Sequence, residues 1–185
     1  MNFRFTYPPI EGLVVVEPRV FGDERGYFME CYNEETFRRV TGLATRFVQD
    51  NEAYSRRGVV RGLHYQLAPH AQAKLVRVVS GRVLDVAVDI RKSSPTFGRY
   101  VAVELSAENG LQLYIPEGFA HGYAVLSDEA VFQYKCSDYY HPETEAGIAF
   151  DDPQLAIAWP IPQAEMILSE KDRRHPGFVD AQLFE

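Results

Sequence analysis

The sequence predicts a mainly β protein with one helix. From Phe47 onward, short runs rich in β-branched and aromatic residues follow one another, as in KLVRVVSG and RVLDVAVDI. Turn signals such as SG, KSSPTFG and AENG separate these runs. About eight short strands at this spacing are typical of a sandwich or barrel. The helix is predicted over NEETFRRVTG (33–42), where Asn33 would cap the N-terminus and Gly42 would end it.

The two flanking segments carry weaker patterns. LVVVEPRVF (13–21) is predicted to be extended, and FGDERG is expected to turn into a further strand, YFMECY (27–32). Residues 141–185 contain several prolines and only brief apolar runs. We therefore expect loops and short helical pieces there, packed over the β core.

Size and charge narrow the class of function. A chain of 185 residues fits one domain, over 1–185, and its net charge of -7 argues against binding of nucleic acid or anionic membranes. No apolar run is long enough to span a membrane, and the start, MNFRFTYPPI, lacks the apolar core of a signal peptide, so a cytoplasmic protein is expected. Cys31 and Cys136 form no metal-like cluster and are predicted to be reduced thiols.

The most regular spacing of special residues lies in GLQLYIPEGFAH. Its residues Gly110, Pro116, Gly118 and His121 resemble the second motif of the cupin superfamily, although Val125 stands where that motif ends in asparagine. Four matches at fixed spacing carry more information than a single histidine. The resemblance implies a cupin-type jelly-roll β-barrel with a few short helices.

The first cupin motif is only half matched. Gly58 and His64 fit its opening, but Gln66 stands at the second histidine position and Lys74 at the acidic position. A divalent metal needs about three imidazole or carboxylate ligands, and neither an amide nor a cation replaces them well. The sequence therefore predicts a barrel without a metal. His64 and His121 would then be either satisfied core histidines or acid/base groups in a pocket.

Longer segments, in order along most of the chain, resemble the dTDP-4-dehydrorhamnose 3,5-epimerase family: VFGDERGYFMECYN, FVQDN, RGLHYQ, KLVR, LYIPEGFAHGY, FQYKCSDYY and LSEKD. The resemblance implies a metal-free, cofactor-independent isomerase that dimerises by strand exchange. It implies conversion of dTDP-4-dehydro-6-deoxy-D-glucose to dTDP-4-dehydro-L-rhamnose. Three alternatives stay open. The first is a single-site 3- or 5-epimerase of a related dTDP-4-keto-6-deoxysugar, or a ketoisomerase on a related nucleotide sugar. The second is a module that binds a nucleotide sugar without turnover, and the third, disfavoured by Gln66 and Lys74, is a metal-dependent cupin.

The resemblance also implies roles in proton transfer. A ketone at C4 acidifies the hydrogens at C3 and C5, and one base on one ring face could remove each in turn. His64 would be that base, oriented by Asp172, and Tyr134 would return a proton from the opposite face. Lys74 would stabilise the negative charge on the C4 oxygen, and His121 would assist near it.

Further residues are implied to bind the substrate. Besides Lys74 and His121, they are Phe21, Arg25, Glu30, Gln49, Asn51, Arg61, Tyr140, Glu145 and Lys171. Arginine and lysine suit a diphosphate by charge and donor geometry, and Tyr140 would stack on thymine. Strict alternation along RGLHYQL places Arg61 on the face opposite to His64, unless Gly62 forms a bulge or a strong twist.

Overall fold

The computed structural model describes residues 2–185, and within them it contains thirteen strands and one α-helix. The strands are β1 (Phe3–Thr6), β2 (Val14–Pro18), β3 (Val20–Asp23), β4 (Gly26–Met29), β5 (Gln49–Arg56), β6 (Val60–Gln66), β7 (Lys74–Ser80), β8 (Arg82–Asp89), β9 (Tyr100–Ser106), β10 (Gln112–Ile115), β11 (Phe119–Val125), β12 (Glu129–Cys136) and β13 (Glu145–Gly147). Short 3₁₀ helices cover Pro142–Thr144, Gln163–Glu165 and Asp172–Arg174. The helix, α1, covers Glu34–Thr41.

Two antiparallel sheets form the body of the protein. One has the order β1-β2-β10-β7-β12-β5, and the other has the order β13-β6-β11-β8-β9. Within residues 2–185, strands β3 and β4 pair only with each other, as a separate hairpin. Neighbours that are distant in sequence, such as β2 and β10, make this a double-sheet fold rather than a meander. The predicted β-rich fold class is confirmed.

The main core lies between the sheets, where the apolar side chains of their facing strands pack together. Val76 and Val78 of β7 and Phe132 of β12 face Val83 and Ala87 of β8, and all five are almost fully buried. The opposite face of the five-stranded sheet is also apolar. It is covered by side chains of the C-terminal segment, so the predicted packing of residues 141–185 over the β core is confirmed.

The one predicted helix forms where its end signals place it. The Asn33 side chain accepts a hydrogen bond of 2.9 Å from the backbone N–H of Thr36. Gly42 adopts a left-handed conformation with φ 72°, and its N–H donates to the carbonyl of Arg38. Phe37 anchors the helix, since its buried ring lies 5.2 Å from the ring of Tyr114 on β10.

Near the N-terminus the prediction needs correction. The extended run 13–21 is broken at Arg19 into β2 and β3, and the strand expected at 27–32 begins at Gly26 and already ends at Met29. The resulting hairpin leaves the Tyr27 and Phe28 side chains 68% and 69% exposed. Strands β1 and β13 were not predicted, because each is only three or four residues long and forms by pairing with β2 or β6.

Two smaller predictions can also be compared with the structure. No helix in residues 2–185 is long and apolar enough to cross a membrane. Cys31 is half-buried and Cys136 is buried, and both are free thiols, as predicted.

Candidate active site

A polar cavity of about 340 Å³ opens between the two sheets. It is lined by Gln49, Asn51, His64, Tyr65, Gln66, Gln72, Lys74, Tyr134, Cys136, Tyr140 and Glu145. His64 comes from the five-stranded sheet, whereas Lys74 and Tyr134 come from the six-stranded sheet. Predicted site residues from distant parts of the chain therefore meet in one cavity, with His64 and Tyr134 on different walls.

His64 is held by a buried carboxylate. Its Nε2 lies 2.5 Å from Oδ1 of Asp172, which begins a short 3₁₀ helix packed on β6. Burial raises the pKa of Asp172, but hydrogen bonds from His64 and Ser169 outweigh that effect and bring it to about 2. Because the ionised carboxylate can only accept, Nε2 carries the hydrogen and Nδ1 remains the basic nitrogen.

A second imidazole lies beside this pair. The His175 ring is edge-on to the His64 ring with centroids 5.3 Å apart, and its Nε2 lies 3.7 Å from Oδ1 of Asp172. That Nε2 is buried and has no hydrogen-bond partner among residues 2–185. The ring occupies the space left by Gly147, where a Cβ atom would collide with it. Burial lowers the pKa of His175, which keeps it neutral.

Lys74 is the cation of the cavity. Burial lowers the pKa of its ammonium group, while Cys136, Asp85 and Glu145 act in the opposite direction. Its Nζ forms no hydrogen bond or ion pair with the described part of the chain. The position that the cupin motif gives to an acidic ligand thus holds a desolvated cation directed to the same cavity.

His121 lies deeper than the resemblance implied. It is opposite His64 in the pairing of β11 with β6, but its side chain is only 9% exposed and does not line the cavity. Its Nε2 lies 2.8 Å from Oδ2 of the fully buried Asp85. The other oxygen of Asp85 has no partner within residues 2–185. His121 and Asp85 therefore form a polar pair behind the cavity wall.

Tyr134 is held on the wall formed by β12. By the period of the strand it shares a face with Phe132 and Cys136, as predicted, and its ring centroid lies 6.1 Å from that of Phe132. Burial raises the pKa of Tyr134 to about 12. The phenol therefore keeps its proton over the whole physiological range and is available as a donor.

One end of the cavity carries a connected polar network. The Tyr140 hydroxyl donates to Glu145 over 2.6 Å, and Lys171 forms an ion pair with the same carboxylate. Burial raises the pKa of Glu145, but these two partners outweigh it and lower the pKa. Gln49 accepts from the backbone N–H of Tyr140 and donates to Asn51. Five of the predicted substrate-binding residues are thus joined in the structure.

A β-bulge places Arg61 on the same face of β6 as His64. Arg61 pairs with Tyr123 and His64 pairs with His121, so two residues of β6 lie opposite Gly122 alone. Residues opposite each other in a sheet share a face, and positions 121 and 123 share a face with each other. The placement of Arg61 by strict alternation is therefore wrong, and the bulge at Gly62 is confirmed.

The remaining predicted residues are not brought to the cavity of the same chain. Phe21 and Arg25 lie on the β3–β4 hairpin, and Arg25 is paired with Asp23. Glu30 accepts hydrogen bonds from Asn2 and Asn33. None of the three predicted residues lines the cavity around His64.

Three residues near the site were not found from the sequence. Asp85 had a visible signal, since it is a carboxylate at an inward position of the strand RVLDVAVDI. Ser169 stands three residues before Asp172, and its hydroxyl donates to that carboxylate over 2.7 Å. His175 had no signal, because its approach to His64 depends on the packing of the C-terminal segment on β13.

Comparison with known proteins shows that the chain is similar to members of one enzyme family. Residues 8–180 match the family model described as dTDP-4-dehydrorhamnose 3,5-epimerase. A dTDP-4-dehydrorhamnose 3,5-epimerase from Shigella flexneri is 56% identical over 175 residues, which cover 95% of this chain and 96% of that protein. The crystal structure of an enzyme with the same name from Elizabethkingia anophelis has a TM-score of 0.94 and 54% identity, covering 97% of this chain and 98% of that one.

A further similar structure is that of a dTDP-6-deoxy-D-glucose-3,5-epimerase from Legionella pneumophila in complex with dTDP-4-keto-L-rhamnose. It has a TM-score of 0.93 and 49% identity, over 96% of this chain and 94% of that one. The two solved structures cover nearly the whole chain, so the likeness includes the C-terminal segment that carries Asp172.

The bulge generates a prediction about Gly62. A Cβ atom at Gly62 would lie 2.6 Å from Cα of Gly122 and 2.7 Å from the carbonyl oxygen of His121, at a φ of +120°. We expect Gly62→Ala to lower the free energy of unfolding by about 3 kcal/mol, from overpacking and backbone strain together. Denaturant titration followed by tryptophan fluorescence measures this quantity.

Gly110→Ala is the matched control for that substitution. Gly110 also has a positive φ, of +62°, but no atom lies within 4 Å of the point that a Cβ atom would occupy there. It should cost only the backbone strain of about 1–2 kcal/mol. Equal losses for the two variants would contradict a role for the close approach of β6 and β11.

Proposed function

The chain belongs to the dTDP-4-dehydrorhamnose 3,5-epimerase family, and from this premise we propose that it converts dTDP-4-dehydro-6-deoxy-D-glucose to dTDP-4-dehydro-L-rhamnose. The observation that carries the proposal is the pair His64 and Tyr134 on different walls of one cavity, with Lys74 in the same cavity. Inversion at a carbon requires a proton to leave one face and a proton to arrive at the other. A base and an acid on facing walls meet that requirement.

His64 acts as the base in this proposal. Its Nδ1 takes the proton from C3 or C5, which the C4 ketone has made acidic, and the ring becomes an imidazolium. Asp172 stabilises that cation through the 2.5 Å contact with Nε2 and prevents the ring from turning. Because Asp172 is itself anchored by Ser169, the orientation of the base is fixed before substrate binds.

Lys74 stabilises the intermediate. Removal of the proton moves an electron pair onto the C4 oxygen, and an ammonium group with no partner in the described chain is free to bind that oxyanion. The low polarity around Lys74, which lowers its pKa, also strengthens its attraction to a developing negative charge. The Asp85 carboxylate, paired with His121 on the other sheet, favours the charged form of Lys74.

Tyr134 completes each inversion. Its hydroxyl donates a proton to the enolate carbon on the face away from His64, and the C4 carbonyl re-forms. The phenolate that remains is close enough to Arg61 for that guanidinium to favour it. Exchange with water then returns a proton to Tyr134 and removes one from His64. The reaction moves only protons, so no redox cofactor is required.

The nucleotide is proposed to occupy the end of the cavity formed by Gln49, Asn51, Tyr140, Glu145 and Lys171. Tyr140 is 54% exposed, which leaves its ring face open for stacking on thymine. Arg61 and Lys171 provide cationic donors for the diphosphate in a chain whose net charge is negative. The substrate is thus a dTDP-linked 4-keto-6-deoxyhexose.

The β3–β4 hairpin is proposed to complete the site of a second copy. Phe21 and Arg25 lie away from the cavity of their own chain, on a hairpin that exposes Tyr27 and Phe28. Burial of these rings against a partner chain would remove their apolar surface from contact with water, which favours association. We propose a homodimer of single-domain chains in which Phe21, Arg25 and Glu30 act on the partner's substrate. We also propose a cytoplasmic location, in line with the prediction from the sequence.

Isotope exchange tests the reaction. In D2O the product should carry deuterium at both C3 and C5, as measured by NMR or mass spectrometry, because both carbons receive protons from exchangeable groups. Tyr134→Phe should still exchange hydrogen through His64 but give at least about 100-fold less inverted product, and His64→Ala should lose both.

Deuterium at only one of the two carbons would contradict the double-epimerase proposal and support the single-site epimerase. Binding of the substrate with no exchange at either carbon would favour the module without turnover. His70→Asn provides a control at a histidine outside the proposed machinery, and it should exchange at the wild-type rate.

The pKa of Lys74 sets a prediction for alkaline pH. A lowered pKa means that the positive charge of Lys74 is lost, as pH rises, at a pH below the ordinary lysine value of 10.5. The reaction rate should therefore fall as the pH rises past the pKa of Lys74, which gives the pH–rate profile an alkaline limb. Lys74→Arg should move this limb to higher pH, since arginine keeps its charge. Lys135→Arg, whose lysine is paired with Asp50, should leave the limb in place.

Mixed dimers test the contribution of the hairpin. A chain with Arg25→Ala and a chain with His64→Ala should each be nearly inactive alone. If Arg25 acts on the partner's substrate, co-refolded heterodimers contain one intact site and recover up to about half the wild-type activity per dimer. If the hairpin acts on its own chain, both sites stay defective and no activity returns.

A further inference from the structure

We propose that His64, Asp172 and His175 form a binding site for zinc or a similar divalent transition ion, and that the bound ion inhibits the enzyme. The inhibition, unlike the binding, depends on the proposed role of His64 as the base. The three side chains offer two imidazole nitrogens and one carboxylate oxygen, and these ligand atoms all lie within 4.8 Å of one another. Zinc is commonly bound by such a set of nitrogen and oxygen donors.

The strongest observation is the unused nitrogen of His175. Its side chain is nine-tenths buried, and its Nε2 has no partner within residues 2–185. A buried polar atom without a hydrogen bond is costly and calls for an explanation. This one lies 3.7 Å from the carboxylate oxygen that also contacts His64, so it is directed at the centre of the cluster.

The packing around His175 fixes that direction. Its ring fills the place that any side chain at position 147 would occupy, and Gly147 pairs with His64 in the register of β13 with β6. The strand therefore holds the two imidazoles next to each other. The third ligand, Asp172, belongs to the short 3₁₀ helix that directly precedes His175.

The ion would fit with small movements. Tetrahedral zinc, at about 2.0–2.1 Å from each ligand, separates ligand atoms by about 3.3 Å. The present separations from Oδ1 of Asp172 are 2.5 Å to His64 and 3.7 Å to His175. The distance to His64 must lengthen and the distance to His175 must shorten, each by less than about 1 Å. The two imidazole nitrogens lie within 4.8 Å of each other, so they must approach by at most about 1.5 Å. A fourth position would remain for water.

Bound zinc would disable the base through its tautomer. The ion takes the Nε2 lone pair of His64, so the single hydrogen of the neutral imidazole moves from Nε2 to Nδ1. Nδ1 is the atom proposed to receive the substrate proton, and as an N–H it has no lone pair to do so. Since the ion would lie on the Asp172 side of the ring, it should reduce kcat while leaving KM largely unchanged.

The test compares zinc inhibition and zinc binding in three variants. His175→Phe keeps a ring over Gly147 but has no ligand atom, and His175→Asn removes the ring. Loss of a direct ligand should raise the half-inhibiting Zn²⁺ concentration at least tenfold in both, since even outer partners of a ligand contribute 10–100-fold to metal affinity. With chelator present, both variants should retain a kcat close to that of the wild type.

His70→Asn is the matched control. His70, His141 and Glu143 form the other cluster of metal-binding residue types among residues 2–185, but both imidazoles are already paired with carboxylates. This variant should show wild-type inhibition. Mg²⁺, which prefers oxygen ligands, should not inhibit the wild type at the same concentrations.

Equilibrium dialysis with Zn²⁺ gives a measure that does not depend on activity. The His175 variants should lose one bound ion per chain relative to the wild type. Equal zinc inhibition of wild type and His175→Phe, or relief of inhibition by His70→Asn, would overturn the proposed site. An inactive wild type in chelator would count against the proposed function, whereas dialysis would still decide the metal site.

Discussion

The close approach of β6 and β11 at Gly62 and Gly122 is the constraint on which the site depends. Neither position has room for a Cβ atom, because the backbone of the other strand lies within 3 Å of where it would be. The extra residue that β6 accommodates there reverses the parity of the strand. Arg61 and His64 consequently share a face, which a regular strand would forbid. The same backbone segment contributes to the low pKa of Asp172.

The charges around this bulge are arranged at a cost to stability. Asp85 and Asp172 are buried carboxylates, and Lys74 is a desolvated cation with no partner in the described chain. Buried charges are unfavourable in a protein interior even when some of them are paired, and a core optimised for stability alone would replace them with apolar residues. Their concentration in one cavity, next to an uncharged phenol, is instead typical of an active site that transfers protons.

The rest of the fold fixes the positions of the site residues and covers the outer face of the five-stranded sheet. The two sheets hold the proposed base and the proposed acid on separate walls, because each residue is part of a paired strand with a fixed register. The C-terminal segment, although almost without regular structure, covers one sheet and delivers Asp172 and His175 to the base. The hairpin of β3 and β4 has a different character, since its aromatic rings face solvent in the single chain.

The sequence by itself determined the β-rich class, the capped helix at 34–41 and most strand positions, since alternation, turn residues and caps are local signals. It also identified Gln66 and Lys74 at positions where cupins hold metal ligands. Only the tertiary structure decided that Arg61 and His64 share a face of β6, that His121 is paired with Asp85 deeper than the cavity lining, and that His175 approaches Asp172. These relations depend on backbone distances between strands and loops far apart in the chain, and a local pattern of residue types does not encode such distances.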